Sequence, residues 1–372
     1  MDQNSLKAFG TNIQRLIDKK DLTEEETYSM FREILLNEQP DLQQGAFLAA
    51  LVAKGETTEE IVGAWRAIYE IDTVHASSQL PSPLFENSGT GMDSLKTFNV
   101  SSAAAIVAAA CGVRMARHGA RAITSVCGTV DMMEAMGIDV ECDVGIVEKS
   151  IQETGIGLFN GTSPKIHPAA LGRILSQIRF GSTLNIAASL AHPCKPSLGL
   201  RGVYAEMMLE KTAEAMQAVG YERGIVAYGK DLQSGKGMDE FSTIGETVFI
   251  EFFNGAVNKS KIRPEDVGLS CSSLDRIAST SDMEKETKRF VEVLSGRGYN
   301  ACIDFTCLNA GVILYTAGVC DSIKQGVEMS CEAIENGKAL MKLRDWVAVQ
   351  DSTGGSGMAR FDKLLKETDF RF

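Results

Sequence analysis

Two glycines separated by one residue begin the part of this chain that is best suited to bind an anion. The run Gly89-Thr90-Gly91-Met92-Asp93 predicts a turn, because glycine tolerates positive φ and lets a ligand approach the backbone closely. An apolar run over 103–111 then predicts a buried helix. Free backbone N–H groups and the positive end of the helix dipole favour an anion at such a helix start. Hydroxyl and amide side chains lie between the two, at Thr97, Asn99, Ser101 and Ser102.

A second polar segment, Arg117-His118-Gly119-Ala120-Arg121, follows a short predicted strand at 113–116. In a parallel sheet the residues after a strand lie at the carboxyl edge, where α/β proteins bind their ligands. Arginine binds phosphate through a planar fork of N–H donors, which makes this segment a candidate phosphate site. Taken alone, however, such a segment is more often a solvated basic loop.

Two further segments carry oxygen atoms suited to a phosphate or a cation. Ser125 and Thr129 lie at the predicted start of the next helix, where hydroxyls either bind phosphate or cap the helix. Asp239 and Glu240 are adjacent carboxylates near a glycine, a hard-oxygen pair that suits Mg²⁺ if a phosphate completes the coordination shell. Most adjacent carboxylates form exposed acidic turns, so this pair is a weak signal on its own.

The elements that must position these residues form a helical region and then an α/β region. Residues 1–72 have apolar residues at helical spacing, and beyond residue 86 predicted strands and helices alternate. The predicted fold class is α/β, with a small N-terminal helical domain and a large domain whose mixed, mainly parallel sheet is flanked by helices. Three capping boxes are expected in the first region: Thr23 with Glu26, Asp41 with Gln44, and Thr57 with Glu60.

We expect the helical domain to cover 1–72, joined by a helical segment near 164–185, and the α/β domain to cover 86–349. The remainder, 350–372, contains a GGSG run and predicts a flexible C-terminal extension. No internal repeat is present.

Composition limits the classes of partner. The net charge of the 372-residue chain is −12, which opposes nucleic-acid binding in the absence of a basic patch. Nine cysteines without a CxxC pair indicate reduced thiols and a cytoplasmic protein. No apolar run reaches the roughly 18 residues that a membrane span requires.

Together and in this order, the motifs resemble those of the anthranilate phosphoribosyltransferase family, which shares its fold with pyrimidine nucleoside phosphorylases. The family's GTGGD and TFNIST motifs correspond to 89–93 and 97–102, and its KHGNR loop corresponds to 117–121. Its DE motif corresponds to Asp239 and Glu240. The likeness runs from Leu6 to about Val347.

The resemblance implies transfer of 5-phosphoribose from phosphoribosyl pyrophosphate to a nitrogen of an aromatic amine or N-heterocycle, with Mg²⁺ assisting release of pyrophosphate. It implies Mg²⁺ ligands at Ser101, Asp239 and Glu240 and a homodimer formed through the helical domain. Tryptophan biosynthesis is the pathway it suggests. The implied donor site consists of Gly89, Thr90, Gly91, Asp93, Thr97, Asn99, Ser101, Ser102, Arg117, Ser125 and Thr129.

The acceptor side departs from the family pattern. The asparagine of the KHGNR loop, which contacts anthranilate, is replaced by Ala120, and the arginine that binds its carboxylate aligns with Gln177. The resemblance places His118, Ala120, His167, Arg173 and Gln177 on the acceptor side and leaves the acceptor open. Two alternatives also stay open: a non-catalytic paralogue that binds nucleic acid or a protein partner, and an enzyme like pyrimidine nucleoside phosphorylase.

Overall fold

The computed structural model describes residues 3–77, 79–91, 94–121, 127–178, 180–280 and 282–368. The predictions made for Met92, Asp93 and Ser125 therefore lie outside the described residues. Among the described helices, none combines the length and the apolar character needed to cross a bilayer.

The chain begins with four helices and continues with alternating strands and helices. The N-terminal helices are α1 (Gln3–Ile17), α2 (Glu24–Leu35), α3 (Asp41–Lys54) and α4 (Thr58–Asp72). The later elements are β1 (Phe85–Gly89), α5 (Val100–Ala110), β2 (Met115–Gly119), α6 (Thr129–Met136), α7 (Val144–Thr154), β3 (Ile156–Asn160), α8 (Leu171–Gln177), α9 (Leu184–Leu190), β4 (Leu198–Gly202), α10 (Leu209–Ala218), β5 (Arg223–Lys230), β6 (Gly237–Met238), β7 (Thr247–Phe253), β8 (Ala256–Ile262), α11 (Leu274–Ile277), α12 (Met283–Leu294), α13 (Asn300–Thr316), α14 (Ile323–Glu335), α15 (Lys338–Val349) and α16 (Ser356–Glu367). Short 3₁₀ helices cover Glu206–Met208 and Pro264–Val267.

Two of the three predicted capping boxes form. The Thr23 and Thr57 hydroxyls each accept from the N–H three residues on, and Glu26 and Glu60 accept in return. The box predicted at Asp41 was wrong, because Pro40 is the residue that precedes α3 and Asp41 is already helical. The Gln44 amide instead donates to the carbonyl oxygen of Gln39, which ties α3 to the preceding turn.

Helices α8 and α9 pack on the N-terminal helices although they follow them by about a hundred residues. Leu171, Ile174 and Leu184 share a buried apolar core with Phe31 and Phe47. Asp72, the last residue of α4, accepts hydrogen bonds from the N–H groups of 169–171 at the start of α8. This contact satisfies backbone donors that a helix start leaves free.

One sheet organises the rest of the chain, with strand order β3-β2-β1-β4-β5-β7-β8. The first five strands are parallel, whereas β7 and β8 are antiparallel and β6 pairs with the end of β5. The predicted fold class is confirmed: a small helical domain and a mixed, mainly parallel sheet flanked by helices. Gly89 differs from its predicted place in a turn, since it ends β1 and pairs with Gly202 of β4.

The C-terminal segment is not a flexible extension over its whole length. Residues 356–367 form α16, and Phe361 is fully buried with Leu364 and Leu365 in the core of the α/β domain. At the start of this helix, a Cβ atom on Gly357 would lie 2.2 Å from the carbonyl oxygen of Gly137. The prediction of a flexible tail was wrong here because these apolar side chains, at helical spacing, have a core to enter.

Candidate active site

The glycines at the ends of β1 and β4 let an acidic segment lie directly on the strand ends. A Cβ atom on Gly89 would lie 2.2 Å from Oδ2 of Asp239, and one on Gly202 would lie 1.5 Å from its carbonyl oxygen. Neither position can therefore hold a side chain without displacing Asp239. The sequence predicted close approach of a ligand to the Gly89 backbone, and the structure shows close approach of a carboxylate.

Asp239 and Glu240 lie beside the donor loop, the name used here for residues 89–91 and 94–99. The Gly91 N–H donates to Oδ2 of Asp239 at 2.7 Å, and Oγ of Ser101 donates to Oε1 of Glu240 at 3.5 Å. Asp239 is buried, so the pair is not the exposed acidic turn that such residues usually form. These three side chains border a small cavity that is also lined by Asn87, Ser88, Gly202 and Asn309.

Asn309 of α13 fixes the backbone next to the carboxylates. Its Oδ1 accepts from the Phe241 N–H at 3.0 Å, and its Nδ2 donates to the Phe241 carbonyl oxygen at 3.0 Å. Both partners are buried. The sequence analysis did not identify Asn309, because nothing in its helical surroundings marks a side chain that binds a distant backbone.

Arg117 is a buried cation beside the start of α5. Nη1 donates to Oγ of Ser102 at 2.6 Å and Nη2 to the carbonyl oxygen of Asn87 at 3.4 Å, and the residue is only 2% exposed. Within the described part of the chain it forms no ion pair with a carboxylate, although the buried Glu86 carboxylate acts to raise its pKa, and its Nε has no hydrogen-bond acceptor. Burial lowers the pKa of the guanidinium to about 10, so the group still carries its charge at neutral pH.

Other buried polar atoms near the donor loop also lack partners among the described residues. They are Oδ1 of Asn87 and Oγ1 of Thr90. Buried polar atoms are normally hydrogen-bonded, so the unpartnered Oδ1 of Asn87, which lines the cavity, indicates a place for a ligand or ordered water.

The structure places three further predicted donor residues as follows, and their role in donor binding stays a prediction. Thr97 forms an isolated β-bridge with Ala278, and Asn99 immediately precedes α5. Thr129 is the first residue of α6 and does not cap it, because the cap is Gly128, whose N–H donates to the Asp131 carboxylate. Thr129 still lies at the end of β2, where a Cβ atom on Gly119 would be 2.8 Å from its methyl group.

His118 and His167, both predicted on the acceptor side, lie together with His192 on the other face of the sheet. The ring of His118 is 5.2 Å from that of His167 and 5.5 Å from that of His192, centre to centre. The two Nε2 atoms of His118 and His167 are 3.1 Å apart, and Nδ1 of His167 is 2.5 Å from the Asp72 carbonyl oxygen. No sequence signal identified His192, which belongs to a segment far from the other two.

Burial disfavours the charged form of all three imidazoles. Nδ1 of His192 accepts from the Cys194 N–H, so Nε2 carries the proton and donates to the Ala116 carbonyl oxygen. Burial lowers the pKa of His192 to about 3. Burial also lowers the pKa of His118 and of His167.

The other residues predicted on the acceptor side make no contact with these histidines. Arg173 donates to Oε1 of Gln44 at 3.1 Å and to the Ile34 carbonyl oxygen at 2.8 Å, both in the helical domain. Ala120 and Gln177 are exposed. An acceptor role for these three stays a prediction.

A buried ion pair that the sequence analysis missed lies beside the histidines. Nη2 of Arg201 is 2.6 Å from Oε2 of Glu86, and both side chains are fully buried. Nη1 of Arg201 also donates to the hydroxyls of Ser88, at 2.5 Å, and Ser189, at 2.8 Å. Two opposite charges inside buried strands were the available signal, because buried charges are normally paired.

Comparison with known proteins agrees with this geometry. Residues 82–340 match the family described as glycosyl transferase family, a/b domain, and residues 11–71 match the helical bundle domain of the same family. The anthranilate phosphoribosyltransferase of Methanothermobacter thermautotrophicus is 31% identical, covering 91% of this chain and 97% of the relative. That of Geobacillus kaustophilus is 34% identical, covering 91% and 98%.

Solved structures show the same relationship. The anthranilate phosphoribosyltransferase from Thermus thermophilus has a TM-score of 0.81 at 30% identity, covering 91% of this chain and 98% of that one. The Saccharomyces cerevisiae enzyme in complex with PRPP and Mg has a TM-score of 0.80 at 23% identity, covering 94% and 98%, which shows the shared fold. The resemblance inferred from the motifs is confirmed, and the chain belongs to the anthranilate phosphoribosyltransferase family.

Proposed function

We propose that this chain transfers 5-phosphoribose from phosphoribosyl pyrophosphate to a nitrogen of an aromatic amine or N-heterocycle. The observation that carries the proposal is Arg117, a buried guanidinium at the start of α5 that forms no ion pair with a carboxylate among the described residues. A buried charge is costly unless an opposite charge compensates it. The pyrophosphate group of the donor supplies that charge beside the donor loop.

The residues at the donor loop fit Mg²⁺. Asp239, Glu240 and Ser101 present two carboxylates and a hydroxyl to one cavity, and hard oxygen ligands are the ones that Mg²⁺ prefers. The described residues contain no group of three His, Cys, Asp or Glu side chains that could hold a metal alone, so donor phosphate oxygens complete the site. When bound, Mg²⁺ neutralises charge on the departing pyrophosphate. The PRPP and Mg complex of the yeast relative supports this assignment.

The chain's own residues bind and orient the reactants. Arg117 and the backbone N–H groups at the start of α5 stabilise the negative charge that grows on the leaving pyrophosphate. The acceptor nitrogen attacks C1 of the ribose from the side opposite the pyrophosphate, as the bond from C1 to the pyrophosphate oxygen breaks, and the nitrogen then loses a proton to solvent. Holding the two reactants in line supplies most of the rate, since a neutral nitrogen lone pair needs no strong base before it attacks.

The test is a pair of measurements on the intact protein. Calorimetry with phosphoribosyl pyrophosphate should show binding that strengthens with Mg²⁺, and pyrophosphate release should appear with at least one aromatic amine or N-heterocycle. Folded protein that neither binds the donor nor releases pyrophosphate would contradict the proposal. The relatives lend no support to the paralogue and phosphorylase alternatives.

We also propose a cytoplasmic homodimer that associates through the helical domain. An apolar groove between α1 and α3 exposes 58% of Ile17 and 89% of Leu42, which favours burial against a second copy. All nine cysteines are free thiols, as in a reducing compartment. Sedimentation equilibrium should give twice the chain mass.

A further inference from the structure

We propose that Asn87 is a further ligand of the divalent cation, through its side-chain carbonyl oxygen Oδ1. This inference rests on the proposed function and adds one residue to the cation site of Ser101, Asp239 and Glu240. Asn87 lies in the middle of β1, two residues before Gly89. The sequence analysis gave it no role, because it precedes the glycine motif that begins the candidate donor site.

The orientation of the Asn87 amide is fixed by the start of α5. Its Nδ2 donates to the carbonyl oxygen of Ser101 at 2.8 Å. A half-turn of the amide would bring Oδ1 against that carbonyl oxygen, and two acceptors repel each other at such a distance. The contact therefore assigns the N–H₂ group to Ser101 and leaves Oδ1 as the atom that can accept a hydrogen bond or bind a cation. Nη2 of Arg117 donates to the backbone oxygen of Asn87 at 3.4 Å and leaves the side chain unaffected.

Oδ1 of Asn87 is a buried acceptor that has no hydrogen-bond partner among the described residues. The residue is only 2% exposed, and it lines the same small cavity as Ser101, Asp239 and Glu240. An amide oxygen that is removed from water destabilises the fold unless a donor or a cation satisfies it. A ligand in this cavity would remove that cost.

The two other polar side chains that line the cavity are already engaged. Both ends of the Asn309 amide bind the backbone of Phe241. The Ser88 hydroxyl oxygen accepts from Nη1 of Arg201 at 2.5 Å. Within the described part of the chain, Asn87 is therefore the lining amide whose oxygen remains available to a ligand.

The oxygens around the cavity favour a cation over a sugar hydroxyl. Asp239 and Glu240 contribute carboxylates, and the Ser101 hydroxyl donates its proton to Glu240, so its oxygen can still bind a cation. A hydroxyl group of the donor has one proton and satisfies one acceptor, whereas a cation interacts with several oxygens at once. Carboxylate, hydroxyl and amide oxygens are all hard ligands of the kind that Mg²⁺ prefers. Asn87 thus adds a neutral oxygen to two charged ones.

The test measures metal binding in the absence of turnover. Mn²⁺ is titrated into the intact protein with saturating phosphoribosyl pyrophosphate and no acceptor, and electron paramagnetic resonance reports the free ion. Asn87→Leu keeps the approximate size and removes the oxygen, so the Mn²⁺ concentration for half-saturation should rise by about tenfold. Asn87→Asp keeps an oxygen and adds a negative charge, so that concentration should fall by about threefold or more.

The opposite signs of the two shifts separate a ligand from a structural residue. Both variants lose the hydrogen bond that Nδ2 donates to Ser101, so a structural role alone weakens Mn²⁺ binding in both. Weaker binding in Asn87→Leu together with tighter binding in Asn87→Asp supports the inference. Unchanged or weaker binding in Asn87→Asp overturns it, and this result stands even if Asn87→Leu does not fold.

Asn160→Leu is the matched control for the loss of a buried amide. Asn160 is also 2% exposed and ends β3, but its amide contacts Glu141 and Thr162. This variant should keep the Mn²⁺ affinity of wild type, and a tenfold loss like that expected for Asn87→Leu would overturn the inference. Donor binding by the wild-type protein is scored separately by calorimetry with Mg²⁺. Its absence contradicts the proposed function, whereas normal donor binding with unchanged metal affinity in both Asn87 variants contradicts only this inference.

Discussion

At the scale of a single residue, the positive charge of Arg117 should decide how tightly the phosphoribosyl donor binds. We expect Arg117→Met, which keeps the length of the side chain, to weaken donor binding by about 100-fold, because charge-assisted contacts to pyrophosphate are lost. Calorimetry in the presence of Mg²⁺ measures the change. Arg121→Met is the matched control, since Arg121 is partly exposed and already bound by carboxylates. Equal losses in both variants would remove Arg117 from the donor site.

Asp239 and Glu240 should make donor binding depend on Mg²⁺. In the double variant Asp239→Asn with Glu240→Gln, donor affinity should no longer respond to Mg²⁺, while weak metal-free binding to Arg117 persists. A titration of Mg²⁺ against donor affinity, followed by calorimetry, reports the difference. Asp275→Asn, at an exposed residue of α11, provides the control. If the double variant keeps the normal Mg²⁺ dependence, the metal assignment fails.

Asn309 of helix α13 holds the backbone next to the two carboxylates. Asn309→Leu leaves the buried N–H and C=O groups of Phe241 without partners, which should cost about 2 kcal/mol of unfolding free energy. It should also raise the Mg²⁺ concentration needed for half-maximal donor binding by about tenfold, because Glu240 is no longer held beside Ser101. Asn309→Asp keeps one of the two contacts and should fall between wild type and Asn309→Leu. A loss of stability with an unchanged Mg²⁺ requirement would assign Asn309 a purely structural role.

Helix α16 is an integral part of the α/β core. We expect Phe361→Ala to lower the unfolding free energy by roughly 3–5 kcal/mol, because it leaves a cavity where a fully buried ring now packs. Phe180→Ala, at a ring that is largely exposed, should change it by less than about 1 kcal/mol. Urea unfolding of both variants provides the comparison. Similar effects of the two substitutions would mean that α16 does not pack as described.

The strength of the periodic pattern decides which elements the sequence could predict. The capping boxes at Thr23 and Thr57 are local signals, and local hydrogen bonds fulfil them. Strand β8 gave no signal, because six of its seven residues are exposed and it has no buried face to impose alternation. The apolar stripe of α16 was visible, but its packing partner around Gly137 is more than 200 residues away.

At the scale of the whole molecule, the sequence could predict the donor side of the site better than the acceptor side. The candidate donor site follows contiguous motifs, so short segments such as 89–91 and 97–102 carry much of it. The region around the predicted acceptor residues His118 and His167 also includes Asp72, His192 and Arg201, which only the folded chain brings together. Composition and spacing contain no record of such distances, so the sequence could not predict this grouping.

The buried histidines should make global stability depend on pH. Burial lowers the pKa of His192 to about 3, whereas the unfolded chain binds a proton near the ordinary value of 6.5. The unfolded state then holds more protons below that value, so stability is full above it and falls as the pH drops. From about pH 7.5 to about pH 5, His192 alone should cost about 2 kcal/mol.

Urea unfolding at both pH values measures this loss, and His192→Gln is the control. Glutamine has no proton to gain in this range, so the variant should lose about 2 kcal/mol less than wild type over the same interval. An identical pH dependence in the two proteins would mean that His192 does not stay neutral on folding.

Asp72 links the packing of the helical domain to the tautomer of His167. Its carboxylate holds the start of α8, and its carbonyl oxygen fixes which nitrogen of His167 carries the proton, so one residue governs both docking and tautomer. If the N-terminal helices moved away from the sheet, Nδ1 of His167 would lose its hydrogen-bond acceptor. His118 would then face a His167 ring whose tautomer is no longer fixed. Any opening between the domains that admits or releases small molecules would therefore also change which nitrogen atoms of His167 and His118 carry protons.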